Sequence, residues 1–184
     1  QTEDTIAAVA TAVSAGQGGI AVIRISGTQA EEVAKSIVHI PGEHAWESHT
    51  ILYGHVIDKQ NNELIDEVLV LLMKAPRSFT GEDVAEIHCH GGLISVQRVL
   101  EQILLHPQVR RASPGEFSER AVLNGRLELT QAEAISDLIG ARSQKAARIA
   151  MTGVSGRINQ RIKELREKLL EQLSELEARV DFED

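Results

Sequence analysis

The sequence predicts an α+β domain followed by an all-helical segment. Short β-branched runs alternate with amphipathic stretches in residues 1–109, whereas helix-start signals and a long apolar stripe dominate residues 110–184. The charge changes at the same place: residues 1–109 hold 6 basic and 14 acidic side chains, and residues 110–184 hold 13 of each. We place the domain boundary so that the two parts are residues 1–124 and 125–184.

The composition is typical of a globular protein from a reducing compartment. Of the 184 residues, 42% are hydrophobic and 3% aromatic, so aliphatic side chains must form the core. Cys89 is the single cysteine, which excludes a disulfide within the chain. No apolar run approaches the roughly 18 residues of a membrane span, and the acidic start lacks the layout of a signal peptide. We therefore expect a soluble cytoplasmic protein with no membrane partner.

At least four strands and two helices are expected in the first part. Apolar residues at helical spacing predict a helix over Gln29–Val38, and Gly91-Gly92 introduces a second over Leu93–Leu105. A glycine-rich turn, Gly16–Gly19, follows the first β-prone run. The β-prone runs are Thr5–Ala10, Ile20–Ile25, Thr50–Ile57, Glu67–Met73 and Val84–His90.

The second part opens with two helix-start signals. In Ser113-Pro114-Gly115-Glu116 the serine suits the N-cap, the proline the first helical position and the glutamate the third residue after the cap. Asn124-Gly125 predicts the end of that helix. Thr130-Gln131-Ala132-Glu133 is a second capping box and predicts a helix to about Ala141.

A long final helix carries apolar residues on one side only. Such a stripe needs a partner helix, which we expect from another chain or from a part of the protein outside this sequence. The stripe consists of Ile158, Ile162, Leu165, Leu169, Leu173, Leu176 and Val180.

Basic residues recur in the helical part and allow two interpretations. A solvated helix face is the favoured one, and contact with RNA is the alternative. The residues are Arg142, Lys145, Arg148, Arg157, Arg161 and Lys163.

The chain contains no phosphate-binding loop. The pattern G-x-x-x-x-G-K-[ST] does not occur, and Gly153–Arg157 lacks its lysine. The turn at Gly16–Gly19 is not followed by a helix, so it is not a dinucleotide fingerprint. We expect no nucleotide hydrolysis, no catalytic residues and no metal ligands in these 184 residues.

The strand that ends at His90 carries three polar side chains on one face. Residues two apart in a strand point the same way, so Glu86, His88 and His90 share a face and form a possible metal set. Their spacing along the strand suits two ligands better than three. The favoured interpretation is a polar strand end beside a pocket or an interface, with Cys89 pointing into the core.

Arg24 and Glu86 are charges embedded in apolar strands. Because charges are seldom buried alone, each must meet an opposite charge in the protein or a ligand, and the spacing alone leaves both options open. Gly91-Gly92 raises a similar question, since a helix start is either a simple tight turn or a site for an anion.

Several stretches together resemble one family, and they span nearly the whole chain. Ser-Phe-Thr-Gly-Glu-Asp at 78–83 and Pro-Gly-Glu-Phe-Ser-Glu-Arg-Ala at 114–121 are long and specific. The sequence is similar to the N-terminal part of the tRNA modification GTPases called MnmE or TrmE. The matching stretches are Asp4–Thr11, Gly18–Gly27, Ser78–Val84, Glu86, His90–Gly92, Pro114–Ala121 and Asn124–Ala134.

This resemblance implies a fold and a ligand for the first part. The family's N-terminal domain resembles the tetrahydrofolate-binding domain of the glycine-cleavage aminomethyltransferase. It binds 5-formyl- or 5,10-methylene-tetrahydrofolate and forms a homodimer. The family's folate residues correspond to Arg24, Glu86 and Arg126, and we expect the turn at Gly16–Gly19 close to the ligand. A carboxylate can accept from the ring N–H and 2-amino group of a pterin, and arginine suits carboxylates or a polar ring edge.

For the whole protein, the resemblance implies a Ras-like GTPase domain inserted into the helical domain and dependent on GTP, K⁺ and Mg²⁺. With the flavoprotein MnmG (GidA), the family places an aminomethyl or carboxymethylaminomethyl group on the wobble uridine of tRNA. We expect this chain to stop just before the GTPase insertion, which would explain the missing phosphate-binding loop and the unpartnered stripe. Val13-Ser14-Ala15 departs from the Pro-rich turn of many relatives.

Two alternatives remain open at this point. One is a complete enzyme, either a stand-alone folate-dependent aminomethyltransferase or a metalloenzyme using Glu86, His88 and His90. The other is a dimerisation scaffold with no ligand, against which the embedded Arg24 and Glu86 argue weakly.

Overall fold

The chain forms two compact units, Gln1–Arg126 and Leu127–Asp184. A computed structural model describes residues 4–14, 19–42 and 44–181. In this described part, the first unit combines a seven-stranded sheet with three helices, and the second unit is helical. The predicted order, an α+β domain followed by an all-α segment, is confirmed.

The sheet has the strand order β3-β4-β5-β6-β2-β1-β7. Neighbouring strands are antiparallel except β1 and β7, which run parallel. The short strands β3 and β7 were not predicted, because two or three residues are too few to show a periodic pattern. The strands are β1 Thr5–Val9, β2 Ile20–Ser26, β3 Val38–His39, β4 Ile51–Ile57, β5 Leu64–Met73, β6 Val84–His90 and β7 Val109–Arg111.

Helices α1 (Ala30–Ile37) and α2 (Leu93–Leu104) pack on one face of this sheet. Both are amphipathic, and their apolar sides join alternate strand residues in one core. The most enclosed core side chains include Ile23, Ile25, Val33, Val70, Ile87, Val99 and Ile103.

The opposite face of the sheet is covered at one end only. Ile6, Ser26 and Val84 lie on it and are fully buried, where the Ser26 hydroxyl bonds to the segment 78–83. This segment and helix α3 (Glu116–Leu123) provide the cover. The rest of this face, called the open face below, exposes Ile20, Ile51, Tyr53 and Leu69.

Helix α3 begins later than predicted. Its N-cap is Gly115 with a φ of 80°, not Ser113. The Pro114-Gly115 turn needs a left-handed residue, which glycine supplies at low steric cost. Half of the predicted capping box survives, because the Ser113 N–H donates to Glu116 Oε2 at 2.7 Å.

The helical unit consists of α4 (Leu129–Gly140), α5 (Gln144–Val154) and α6 (Arg157–Asp181). The predicted capping box at Thr130 is wrong, since Glu128 and Gln131 form it.

The Thr130 side chain does not cap the helix. Its hydroxyl donates to Asn159 Oδ1 at 2.5 Å and links α4 to α6. Helices α4 and α5 approach closely at Gly153, where an added Cβ would lie 2.6 Å from the Ala134 Cβ.

The apolar stripe of α6 is exposed within the described part of the helical unit. Ile158, Leu165 and Leu173 expose 47%, 61% and 51% of their surface. Val180, which the prediction included, lies outside the residues whose side chains are described. The basic residues of this unit, from Arg142 to Lys163, are also exposed, which fits both interpretations given above.

Candidate functional site

Arg24 and Glu86 face each other on neighbouring strands. The register of β2 and β6 places them directly opposite. Arg24 Nε donates to Glu86 Oε1 at 2.8 Å, and Nη2 lies 2.7 Å from the same oxygen. Both side chains remain partly accessible, at 24% and 13%. Each embedded charge therefore has a protein partner, while Glu86 Oε2 accepts no hydrogen bond from the described residues.

Two phenylalanine rings flank the Arg24 guanidinium. Its Cζ lies 5.1 Å from the ring centre of Phe79 and 5.6 Å from that of Phe117, within the range of cation–π attraction. Phe79 comes from the segment between β5 and β6, and Phe117 from α3. Neither ring was predicted from the sequence. A usable signal existed, because the chain has only three phenylalanines and two of them stand in the specific motifs.

A polar network fixes the segment that carries Phe79. The Ser26 hydroxyl bonds to Thr80 Oγ1 at 2.7 Å and donates to Glu82 Oε2 at 2.8 Å. Arg120 Nη1 reaches Glu82 Oε2 at 3.2 Å. The two motif segments thus hold each other against the sheet, which positions the two rings over Arg24.

Among the described residues of the unit, Arg120 is the most enclosed charge, with 2% of its side chain exposed. It donates to the Asp4 carbonyl and carboxylate at 2.9 Å each, and it lies 3.3 Å from Glu116 Oε1. Three carboxylates around one guanidinium give the pairing that a buried charge requires. The network joins β1, segment 78–83 and α3.

Glu116 is the anchor of α3. Arg110 binds it through two nitrogens at 2.8 and 2.5 Å. Chiefly because of the hydrogen bonds from Arg110, and despite the opposing effect of burial, the pKa of Glu116 falls to about 2. Glu116 therefore stays charged under all ordinary conditions.

Arg126 lies beside the segment that carries Phe79. Its Nε donates to the Ser78 carbonyl at 3.3 Å, and its Cβ is near Gly81. The side chain is exposed and forms no ion pair with the described residues. The structure thus pairs Arg24 with Glu86 and places Arg126 on an adjoining segment, with no hydrogen bond or ion pair to either among the described residues. The turn at Gly16–Gly18, expected near the ligand, lies outside the described residues.

His90 is bound to a buried carboxylate at the start of α2. Its Nδ1 lies 2.6 Å from Asp66 Oδ1, and this hydrogen bond raises the pKa of His90 above its usual range. Asp66 Oδ2 also accepts from the His90 N–H at 2.9 Å and the Ser95 hydroxyl at 3.0 Å. The Asp66 carboxylate therefore lies at the start of α2. The Gly91-Gly92 turn had suggested a site for a bound anion at this same helix start.

The three-residue metal set does not assemble. His90 pairs with Asp66, and only His88 and Glu86 approach each other, at 3.6 Å. Within the described residues, no group of three or more His, Cys, Asp and Glu side chains could hold a metal ion. Cys89 is buried on the core side, and burial raises the pKa of its thiol to about 12.

Comparison with known families separates the same two parts. A family model described as the N-terminus of the GTP-binding protein TrmE matches residues 5–126. A second, described as the MnmE helical domain, matches residues 129–184.

The chain belongs to the MnmE family.

Curated MnmE relatives agree with these matches. Proteins named tRNA modification GTPase MnmE are 71% identical over 182 residues in Prochlorococcus marinus (strain MIT 9303), and 70% identical over 180 residues in Synechococcus sp. (strain WH7803). These alignments cover 99% and 98% of the chain and 39% of each relative. The chain thus spans about two fifths of the length of its MnmE relatives. None of the described helices has the length and apolar character needed to cross a bilayer.

Proposed function

We propose that the N-terminal unit binds a one-carbon tetrahydrofolate, either the 5-formyl or the 5,10-methylene form, at Arg24, Glu86 and Arg126. The observation that carries this proposal is the Arg24–Glu86 pair, whose guanidinium lies near two aromatic rings and which is left partly open. A pair that served only to neutralise buried charge would have no need of an accessible carboxylate oxygen. The residue correspondence with the MnmE family points to the same three positions.

The chemistry of the pair suits a pterin ring. An ionised carboxylate has about four lone-pair sites, and Arg24 takes both of its contacts at Glu86 Oε1. Oε2 is therefore available for a ring N–H or a 2-amino group. Arg24 belongs to the ring end, because it is bound to the same carboxylate. Arg126 is exposed and suits the carboxylates of the glutamate tail.

We extend the proposal to assembly. The N-terminal unit forms a homodimer, and the open face is the surface that a second copy covers. Ile51, Tyr53 and Leu69 lie on the neighbouring strands β4 and β5, Ile20 lies on β2 beyond the histidines of β6, and the four expose 44–68% of their surface. Large apolar residues exposed together on one face mark an interaction site.

For the whole protein we propose the role of the MnmE relatives. It acts in the cytoplasm as a GTP hydrolase dependent on K⁺ and Mg²⁺, together with the flavoprotein MnmG (GidA), in modification of the tRNA wobble uridine. Residues 1–124, together with Arg126, would supply folate binding and dimerisation, and residues 125–184 the first part of the helical domain. A stand-alone aminomethyltransferase would share the ligand, whereas the metalloenzyme alternative has no three-ligand group in the described residues.

Titration calorimetry with 5-formyltetrahydrofolate tests the ligand and the site together. We expect the wild-type chain to bind and Glu86→Gln to bind at least about tenfold more weakly, because charge-assisted hydrogen bonds are worth roughly 1.5–3 kcal/mol. Glu32→Gln is the matched control, since Glu32 is exposed on α1 across the sheet. Absence of heat with the wild-type chain refutes folate binding. Equal affinities of wild type and Glu86→Gln refute the site.

A further inference from the structure

Six basic side chains of the helical unit lie in one stretch of the chain that contains no acidic residue. Between Asp137 and Glu164 the sequence carries a charge of +6, although the whole chain carries −8. All six side chains are exposed. Among the described residues only Lys163 forms an ion pair, with Glu128 at 3.3 Å. The five that form none are Arg142, Lys145, Arg148, Arg157 and Arg161.

The charge pattern of this stretch differs from that of an ordinary solvated helix face. The later part of α6 mixes both signs, and Glu164 and Lys168 stand four residues apart, the spacing at which opposite charges stabilise a helix. Arg157 and Arg161 have the same spacing, but two like charges there destabilise the helix. A negatively charged partner bound to both arginines would remove that cost.

Arg157 and Arg161 lie along a groove between helices α5 and α6. The groove has a volume of about 530 Å³, and Thr152 of α5 lines it on the other side. Glu164 is the only acidic residue of the lining, and it forms no ion pair among the described residues. The groove is therefore open to an anion, with two guanidinium groups available to it.

The outer side of α5 continues the same positive surface. Ala150 and Gly153 are buried and face the neighbouring helix α4. Lys145, Arg148 and Thr152 are three and four residues apart, so they share the side of α5 that points away from α4. We call Lys145, Arg148, Arg157 and Arg161 the basic surface.

Hydrogen bonds fix the turn that joins the two halves of the basic surface. Gly156 has a φ of 74°, a conformation that favours glycine, and it connects α5 to α6. Gln131 Nε2 donates to the Val154 carbonyl at 3.0 Å, and the Thr130 hydroxyl donates to Asn159 at 2.5 Å. Helix α4 thus holds the end of α5 and the start of α6, so the positive charges are arranged before any ligand arrives.

We propose that the basic surface binds the phosphate backbone of RNA. Three of its four residues are arginines, whose planar guanidinium matches a phosphate in two-point hydrogen bonding and is more weakly hydrated than an ammonium group. A backbone of repeated phosphates suits charges spread over two helices better than a single anion does. The choice of tRNA as the RNA rests on the proposed role of the whole protein, whereas the surface itself is independent of the folate site.

Fluorescence anisotropy of a labelled tRNA, measured over a series of salt concentrations, tests the proposal on the whole 184-residue chain. Each neutralised phosphate contributes roughly −0.7 to −0.9 to the slope of log affinity against log salt, so four contacts give a slope of about −3. The double variant Arg157→Gln/Arg161→Gln should bind about tenfold more weakly at about 0.1 M salt, with a slope shallower by about 1.5.

Two further double variants serve as controls. Arg166→Gln/Lys168→Gln removes two exposed positive charges from the same helix but outside the groove, and it should bind almost as the wild type does. Arg157→Lys/Arg161→Lys keeps both charges and should keep the salt dependence. A loss of salt dependence in this lysine variant would overturn the proposal, because the charge would then not be what binds.

Three other results would also overturn the proposal. They are a wild-type chain that binds no tRNA, equal losses in the two glutamine double variants, and displacement of tRNA by poly-glutamate as readily as by unlabelled tRNA. The last result would assign the basic surface to an acidic protein. Titration of the same proteins with 5-formyltetrahydrofolate separates this proposal from the folate site, because neither glutamine double variant should change that affinity.

Discussion

Replacing Glu116 by glutamine should destabilise the N-terminal unit in a pH-dependent way. Its pKa lies at about 2 rather than the ordinary 4.5, and at roughly 1.4 kcal/mol per pH unit this amounts to about 3 kcal/mol in favour of the charged form. Arg110, which causes most of the effect, is 46% exposed, and solvent screening weakens such a pair. We therefore expect Glu116→Gln to lose about 2 kcal/mol of unfolding free energy at pH 7.

The sign of the pH dependence follows from the direction of the change. Because folding lowers the pKa of Glu116, its contribution is complete above about pH 4.5 and is lost as the pH falls towards 2. The difference between wild type and Glu116→Gln should fall to less than half of its neutral value by about pH 3.

The assay is urea unfolding followed by the fluorescence of Trp46. It is the only tryptophan of the chain and packs against the core of the N-terminal unit, so the signal excludes the helical unit. Glu119→Gln is the matched control, since Glu119 is an exposed residue in the first turn of the same helix. A loss below about 0.5 kcal/mol, or a difference that stays constant down to pH 3, would show that the ion pairs around Glu116 contribute little.

Two further predictions concern His90 and the open face. NMR titration should give His90 a pKa above the ordinary 6.5, so its interaction with Asp66 is present below that pH and is lost as the pH rises through the raised value. In Asp66→Asn the pKa of His90 should return towards 6.5, and an unchanged pKa would contradict the assigned cause. Leu69→Lys should reduce the sedimentation mass from two chains to one, whereas Leu105→Lys, at the end of α2 across the sheet, should not. A dimer that survives Leu69→Lys would exclude the open face as the interface.

Much of the fold could be predicted because its signals are local. Strand β2 is an apolar run interrupted by Arg24, β6 alternates apolar core residues with polar ones, and α1 and α2 repeat apolar residues at helical spacing. The first residues of the helices were harder to predict. Ser113 and Thr130 are good N-cap residues, but Gly115 and Glu128 are the N-caps in the structure. A cap is selected by competition among neighbouring side chains, and tertiary contacts such as that of Thr130 with Asn159 decide the competition.

The candidate site was predictable only in part. Arg24 and Glu86 stood out as single charges in apolar strands, but their pairing depends on the register of two strands about sixty residues apart in the chain. The flanking rings of Phe79 and Phe117 depend on a further network around the buried Arg120. Contacts between distant segments leave no periodic trace in the sequence, and the clue to the rings was that two of the three phenylalanines stand in the specific motifs.

The network around Arg120 also has a consequence for synthesis on the ribosome. Arg24 emerges before its two aromatic neighbours at positions 79 and 117, and the guanidinium whose ion pairs hold their segments lies at position 120. Strand β2 can pair with β6 once residue 90 is available, yet the surroundings of Arg24 remain unfinished until α3 has left the exit tunnel. A nascent chain shorter than this would contain the sheet pairing and lack the complete surroundings of Arg24, so the proposed ligand could bind only after helix α3 has been made.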